Sequence, residues 1–420
     1  MAERKKLDLR FPKNFLWGAS ISTHQVEGSN NNQWTEWELE TAQLKAAKAR
    51  YNYGHLPIWS EIKDEASKPE NYVSGIADDH VHKFREDFAI AKKLNFTALR
   101  SGIEWSRIEP APGNFNATAI AYYKKYFAEL SQQGITPIIT LWHWTMPQWF
   151  AEKGGFAKRS NIKYFVRYVR YVSEQLGSQL KFVLTINEPT VYAAMSYHEK
   201  RWPPEEHSKV QLLRVLMNLA AAHRKSYRVI KHVNPRARVG LAHNCAYYYP
   251  GDDSVISKYV ARLSHKLSNE FFINRVRHHQ DFLGLNYYFA NRVMGTRVHN
   301  PEVEHNDLGW PMEPDKLHPL MTQLYQKYKK PIIITESGVA DCHDVYRKWW
   351  IAESVKSMNA AIKEGAKVSG YIHWSLLDNF EWAEGFWPRF GLVEVDYKTL
   401  KRTIRPSAQW YARLIKTLRT

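Results

Sequence analysis

Cysteine is nearly absent: the 420 residues include only Cys245 and Cys342. Two thiols so far apart give neither a disulfide framework nor the paired spacing of a zinc motif, and they suit a reducing compartment. No uninterrupted apolar run is long enough to cross a bilayer. The opening "MAERKKLDLRFPKNFLWGASIS" makes a poor secretory leader. Its apolar run is short, broken by Pro12, Lys13 and Asn14, and soon followed by His24, Gln25 and Glu27. No Pro-, Gly- or Ser-rich linker, low-complexity tract or repeat of fixed short period divides the chain. One domain over residues 1–420 is expected, because α/β barrels reach this length as single units, and the cytoplasm is the expected location.

Acids are scarce relative to bases, with 42 Asp and Glu against 59 Lys and Arg, a formal net charge of +17. Such an excess can mark a nucleic-acid or membrane partner. Here the bases are spread through segments such as "RKSYRVIKHVNPRAR" and "YQKYKK", where they alternate with apolar residues as on the outer faces of amphipathic helices. A solvated basic surface is therefore expected, with no nucleic acid and no membrane as partner.

Short apolar runs, by contrast, are plentiful, and longer amphipathic segments separate them. The runs "FLWGASIS", "FTALRSGIEW", "TPIITLWHW", "KFVLTINE", "RVGLAHN", "DFLGLNYY", "PIIITESG" and "VSGYIHWSLLD" read as strands. Between them lies helical spacing, as in "DHVHKFREDFAIAKKL", where Val81, Phe84, Phe88, Ala91 and Leu94 mark one face. Eight such βα units predict an α/β fold, a single (β/α)8 TIM barrel, with an unusually long gap between the first two strands that reads as a large loop region. The active site of such a barrel lies at the C-terminal ends of its strands. Those ends carry Gln25, Arg100, His143, Asn187 with Glu188, Asn244, Asn286 with Tyr288, Glu336, and Trp374. One polar strand end is usually a turn or a helix cap. Eight converging on one rim predict a place where substrate meets protein.

Two strands end alike. "KFVLTINEPT" and "IIITESGVAD" each run from apolar residues through Thr to a glutamate and then a backbone breaker, giving Glu188 and Glu336. Neither acid has a second acid nearby to build a metal cage, and strand one ends in His24-Gln25 rather than paired histidines. No metal and no cofactor are expected. Two carboxyls on one rim suit glycoside hydrolysis, where one protonates the leaving oxygen and the other attacks the sugar carbon or activates water.

At these residues the chain resembles family 1 of the glycoside hydrolases, the retaining β-glucosidases and β-galactosidases. The resemblance runs from "FLWGASISTHQVEG" to "RPSAQWYARLI", with "TINEP", "DFLGLNYY", "ITESG" and "WSLLDNFEWAEGFWPRFGL" as its most specific blocks. It implies hydrolysis of terminal β-D-glucosyl, and also β-galactosyl or β-fucosyl, residues of a glycoside or oligosaccharide through a covalent glycosyl-enzyme. Glu188 matches the acid/base and Glu336 the nucleophile. Arg100 and Tyr288 match residues beside the nucleophile, and Asn187 the residue that holds the sugar 2-hydroxyl. Gln25, His143, Glu381 and Trp382 match residues that bind the remaining hydroxyls. Trp374 matches the apolar floor and Asn286 the same wall. The alternative is a 6-phospho-β-glycosidase, which would replace Glu381; the chain keeps it.

The chain departs from the family pattern at Ser337, His24 and Glu104, where Asn, Tyr and a different strand-two stretch are usual. Glu104 is expected to be structural. The span from Gly240 to Asp281 is short for the family, and a more open aglycone side is expected from it. Trp144 and Trp310 are further candidates for sugar contacts. His80, His82 and His223 are expected to be surface or packing residues, and Asn379 to order a loop.

Overall fold

The structure is a computed structural model and describes residues 9–300 and 303–419; the basic start of the chain lies outside the described residues. Eight strands close a parallel barrel: β1 (Leu16–Ser20), β2 (Ala98–Gly102), β3 (Thr136–Thr140), β4 (Phe182–Asn187), β5 (Arg238–Asn244), β6 (Leu283–Tyr287), β7 (Ile332–Ser337) and β8 (Val368–Trp374). Each strand pairs with its neighbours in chain order, and β1 closes the ring on β8, with Leu16 opposite Gly370 and Ser20 opposite Trp374. Every strand read from the sequence is present.

The barrel interior is filled rather than hollow. Leu16, Ala98, Ile138, Leu184, Ala242, Phe282, Ile333 and Ile372 form one buried cluster, seven from the eight strands and Phe282 from just before β6. Side chains alternate faces along a strand, so a residue two or four positions on from this layer points inward one level higher. Arg100, Thr140, Asn244, Asn286, Thr335 and Trp374 all stand at such positions. The polar tips therefore follow from period-two spacing above an apolar plug.

Three seams carry a register shift: β8 spends two residues, from Val368 to Gly370, against one of β7, and the other two shifts lie on the strands that lead to the acids. Between Leu184 and Asn187, β4 spends three residues against two of β5; between Ile334 and Glu336, β7 spends two against one of β6. A one-residue bulge re-aims the side chains beyond it. These are the two strands that carry Glu188 and Glu336. After β7, a Cβ on Gly338 would lie 1.8 Å from the Trp374 carbonyl oxygen, so the chain there needs a residue without one.

The long segment between β1 and β2 is a helical layer rather than loop. Helices Gln33–Ala47, Ala49–Tyr53 and Trp59–Ala66 pack a second core in which Ala42, Ala46, Tyr53, Ile62 and Tyr72 meet Trp387. Asn32 starts the first of them, its side chain accepting from the Trp34 and Thr35 amides. Helix His80–Lys93 buries Phe84, Phe88 and Ala91 as its spacing predicts, with Leu94 buried just beyond its end and Val81 half-buried. His80 is fully internal, bonded to Asp87 and Tyr126, while His82 is exposed. His223 is also buried, between the Thr185 hydroxyl and the His279 carbonyl. No helix among the described residues is long and apolar enough to cross a membrane.

Candidate active site

A cavity of about 260 Å³ opens at the C-terminal rim of the barrel, and Glu188, Glu336 and Glu381 all line it. A larger cleft, about 640 Å³, lies between helix Gln33–Ala47 and the loops near Gly154 and Pro203, and none of the three reaches it. Size therefore does not locate the chemistry; the convergence of strand ends does.

Glu336 is gripped by a cation and a phenol. The Arg100 guanidinium bonds its Oε1 through Nη1, and the Tyr288 hydroxyl donates to its Oε2 at 2.6 Å. Arg100 is itself buried and fixed by Thr140 Oγ1 at 3.0 Å and the Thr335 carbonyl at 3.1 Å. A cation and a phenol donor both favour a carboxylate over a carboxylic acid. Tyr288 stays a donor, since burial and the neighbouring Glu336 push its phenol well above its ordinary range.

Glu188 sits differently. It follows the β4 bulge in a left-handed backbone conformation (φ 39°) at the start of helix Pro189–Tyr197. Its Oε1 accepts from Asn286 Nδ2 at 2.7 Å and from Asn244 Nδ2 at 3.2 Å, both neutral donors. Burial, then repulsion by Glu336, raises its pKa to about 8. One buried acid therefore keeps its proton at neutral pH beside another that is paired with a cation.

Beneath the acids runs a row of amides. Asn187 Oδ1 accepts from Arg100 Nη2 at 2.6 Å, and its Nδ2 donates to His143 Nε2 at 2.8 Å. Thr335 donates to Asn286 Oδ1 at 2.6 Å, which fixes which end of that amide faces Glu188. Burial and Arg100 hold His143 well below the usual imidazole range, so it is neutral and accepts from Asn187.

Glu381 closes the far wall. Burial, then Glu336 and Glu384, raises its pKa to about 8, while a hydrogen bond from Trp374 acts the other way. Gln25 Nε2 reaches it at 3.4 Å and binds Asn379 Oδ1 at 2.8 Å and the Phe380 carbonyl at 2.9 Å. The Gln25 side-chain oxygen, Oε1, is buried without a partner, an acceptor suited to a ligand hydroxyl.

All eleven residues singled out from the sequence meet in this one region, in two levels. Glu188, Glu336, His143, Tyr288, Trp374, Glu381 and Trp382 line the cavity; Gln25, Arg100, Asn187 and Asn286 lie buried around it. Gln25 belongs to the short helix Thr23–Val26 beyond β1 rather than to the strand itself. Trp144 and Trp310 also line the cavity. Asn244, named from its strand end but given no role there, lines it too, as do Trp202 and Phe390, which carried no sequence signal.

The departures from the family pattern have clear places. His24 stacks on Trp382 at 5.6 Å and bonds Glu38 Oε1 at 2.7 Å, so it holds the tryptophan from behind. Ser337 turns outward and accepts from the Trp350 indole at 3.0 Å. Glu104 collects Thr23, Asn32, Ser106 and Thr145, which is a structural role. Asn379 orders the loop through Leu377 and Ser375 as well as Gln25.

The chain is similar to known proteins along nearly its whole length. The sequence model of glycosyl hydrolase family 1 matches residues 7–281 and 273–419. Beta-glucosidase A of Acetivibrio thermocellus is 29% identical over 97% of this chain and 98% of its own. A 6-phospho-beta-galactosidase of Clostridium acetobutylicum is 28% identical over 96% of both chains. The solved beta-glycosidase from Pyrococcus horikoshii superposes with a TM-score of 0.86 at 32% identity, covering 98% of this chain and 96% of that one.

Proposed function

Because the chain belongs to glycosyl hydrolase family 1 and is a β-glycosidase, we propose that it releases terminal non-reducing β-D-glucosyl residues, accepting β-galactosyl or β-fucosyl groups as well, with retention of configuration. The observation that carries this reading is the contrast between two carboxyls in one cavity. Glu336 is paired with Arg100 and Tyr288, and Glu188 is surrounded by neutral donors with its pKa raised to about 8.

In this mechanism Glu188 gives its proton to the glycosidic oxygen as the bond breaks. Glu336 attacks the anomeric carbon from the opposite face and forms a glycosyl ester. Glu188, now a carboxylate, takes a proton from water, and the water displaces Glu336. Charge leaves Glu336 in the first step and returns in the second. Arg100 and Tyr288 are already oriented toward it, so little reorganisation is needed at either step. Asn187 lies beside Arg100, where an amide can hold the 2-hydroxyl. Trp374 offers a flat face to the ring, and Glu381 with Gln25 offers partners for hydroxyls at the far end.

The test is proton NMR of aryl β-glucoside hydrolysis, which should show the β-anomer formed first; a first-formed α-anomer would rule the mechanism out. A second reading, a 6-phospho-β-glycosidase, draws on the Clostridium relative. A panel of aryl glucoside, galactoside, fucoside and their 6-phosphates separates the two.

A further inference from the structure

Outside the catalytic cavity, Glu61, Cys342 and His343 bring a carboxylate oxygen, a thiol and an imidazole nitrogen to one place, all within 4.8 Å of one another. The three come from two distant parts of the chain. Glu61 stands on helix Trp59–Ala66 of the helical layer, while Cys342 and His343 lie in the turn that follows β7. Spacing along the sequence could not show this, since only two of the three are neighbours.

The turn is held firmly. Asp341 accepts from the amides of Val345 at 3.0 Å, Tyr346 at 2.8 Å and Arg347 at 2.9 Å, and its carbonyl accepts from Arg347 Nη2 at 2.7 Å. Asp307 lies behind the thiol. Its Oδ2 accepts from the Cys342 amide at 2.8 Å, and the thiol hydrogen-bonds the same carboxyl. His343 Nε2 already meets Glu61 Oε2 at 2.7 Å, so these two side chains can approach one centre without a change of backbone. Glu61 and His343 are both more than half exposed, which leaves a path for an ion to enter.

We infer that Glu61, Cys342 and His343 form a binding site for a borderline-soft divalent cation of the zinc type. A thiolate and a carboxylate balance the 2+ charge, and sulfur with imidazole selects zinc over magnesium or calcium. The three protein ligands leave one tetrahedral position for water. Asp307 accepts from the Cys342 amide and so fixes the turn that carries the sulfur. On binding, the S–H bond breaks, its proton passes to solvent, and the sulfur–metal bond forms; no redox change is involved. Such an ion would tie the helical layer to the β7 turn and, through Asp307, to the loop bearing Leu308 and Trp310, which line the catalytic cavity.

The test is titration of the chelator-stripped full chain with cobalt(II) and then zinc(II). One cobalt per chain should bind and give a thiolate-to-cobalt charge-transfer band that zinc abolishes. Cys342→Ser should lose the band, and His343→Ala, a change at an exposed residue, should weaken zinc by about tenfold or more. Cys245→Ser, at the other thiol, should leave both unchanged. Zinc should also raise the thermal midpoint of the wild type and not of Cys342→Ser. Absence of stoichiometric binding, or a band that survives Cys342→Ser, would overturn the assignment.

Discussion

The Tyr288 hydroxyl lies 2.6 Å from Glu336 Oε2, across the seam between β6 and β7. Two positions earlier on β6, Asn286 gives its amide to Glu188 at 2.7 Å. One strand thus serves both acids, with a phenol for one and an amide for the other.

Removal of each acid should leave a different defect. Glu336→Ala should abolish turnover, and azide should restore it with the α-glycosyl azide as product. Glu188→Ala should lose about 10²–10⁴-fold on substrates with poor leaving groups and far less on those needing no proton. In that variant azide should give the β-glycosyl azide. Reversed anomers would exchange the two roles.

Activity should fall on the alkaline side as Glu188 loses its proton. Its pKa is raised to about 8, so kcat/KM should decline above that pH, tenfold per unit where no other group intervenes. Repulsion from Glu336 contributes to the shift. In Glu336→Gln the Glu188 carboxyl should therefore titrate lower, a change that infrared difference titration can follow. An unchanged titration would leave burial as the sole cause.

Glu381 should cost stability at alkaline pH. Its folded pKa is raised to about 8 from an ordinary value of 4.5, so between these values the folded state binds more protons than the unfolded one. Stability then falls as pH rises through that window, by about 1.4 kcal/mol per unit while the full proton difference persists. Glu381→Gln keeps the neutral shape. Its thermal midpoint should gain on the wild type progressively from pH 5 to pH 9; a constant difference would argue against a retained proton.

The same residue should decide between plain and phosphorylated sugars. An ionised Glu381 would meet a 6-phosphate as a like charge in a buried wall, which is costly. The unmodified aryl glucoside should be preferred, and the preference should widen with rising pH as Glu381 loses its proton. Glu381→Ser should lower kcat/KM on the glucoside by about 10²-fold, the loss of one or two buried hydrogen bonds, and narrow the gap. Equal efficiency on the 6-phosphate would favour the second reading.

Much of this was legible in the chain. The eight strands follow from apolar runs, and the inward residues from counting by two above Leu16, Ala98, Ile138 and their companions. Glu188 and Glu336 stood out through their matching Thr-to-Glu strand ends. The bulges in β4 and β7 were not legible, because a phase shift arises from pairing with a neighbouring strand rather than from local composition. His24 behind Trp382 and Ser337 turned to Trp350 were hidden for a like reason: their partners lie hundreds of residues away or on another layer. The helical layer read as a gap, since its core is closed by Trp387 from the far end of the chain.

Arg100 touches both sides of the reaction: Glu336 on β7, and Asn187, which precedes Glu188, on β4. A single guanidinium therefore makes positions 187 and 336 partners in inheritance. A substitution at one alters the support of the other, so their effects should not add, and a lineage changing its chemistry would have to cross intermediates worse than either end. Specificity is freer to drift at Leu308 and Trp310, which Asn306 holds through their backbone amides and not their side chains. The centre is then the constrained part of the molecule, and the rim the part on which new substrates can be tried.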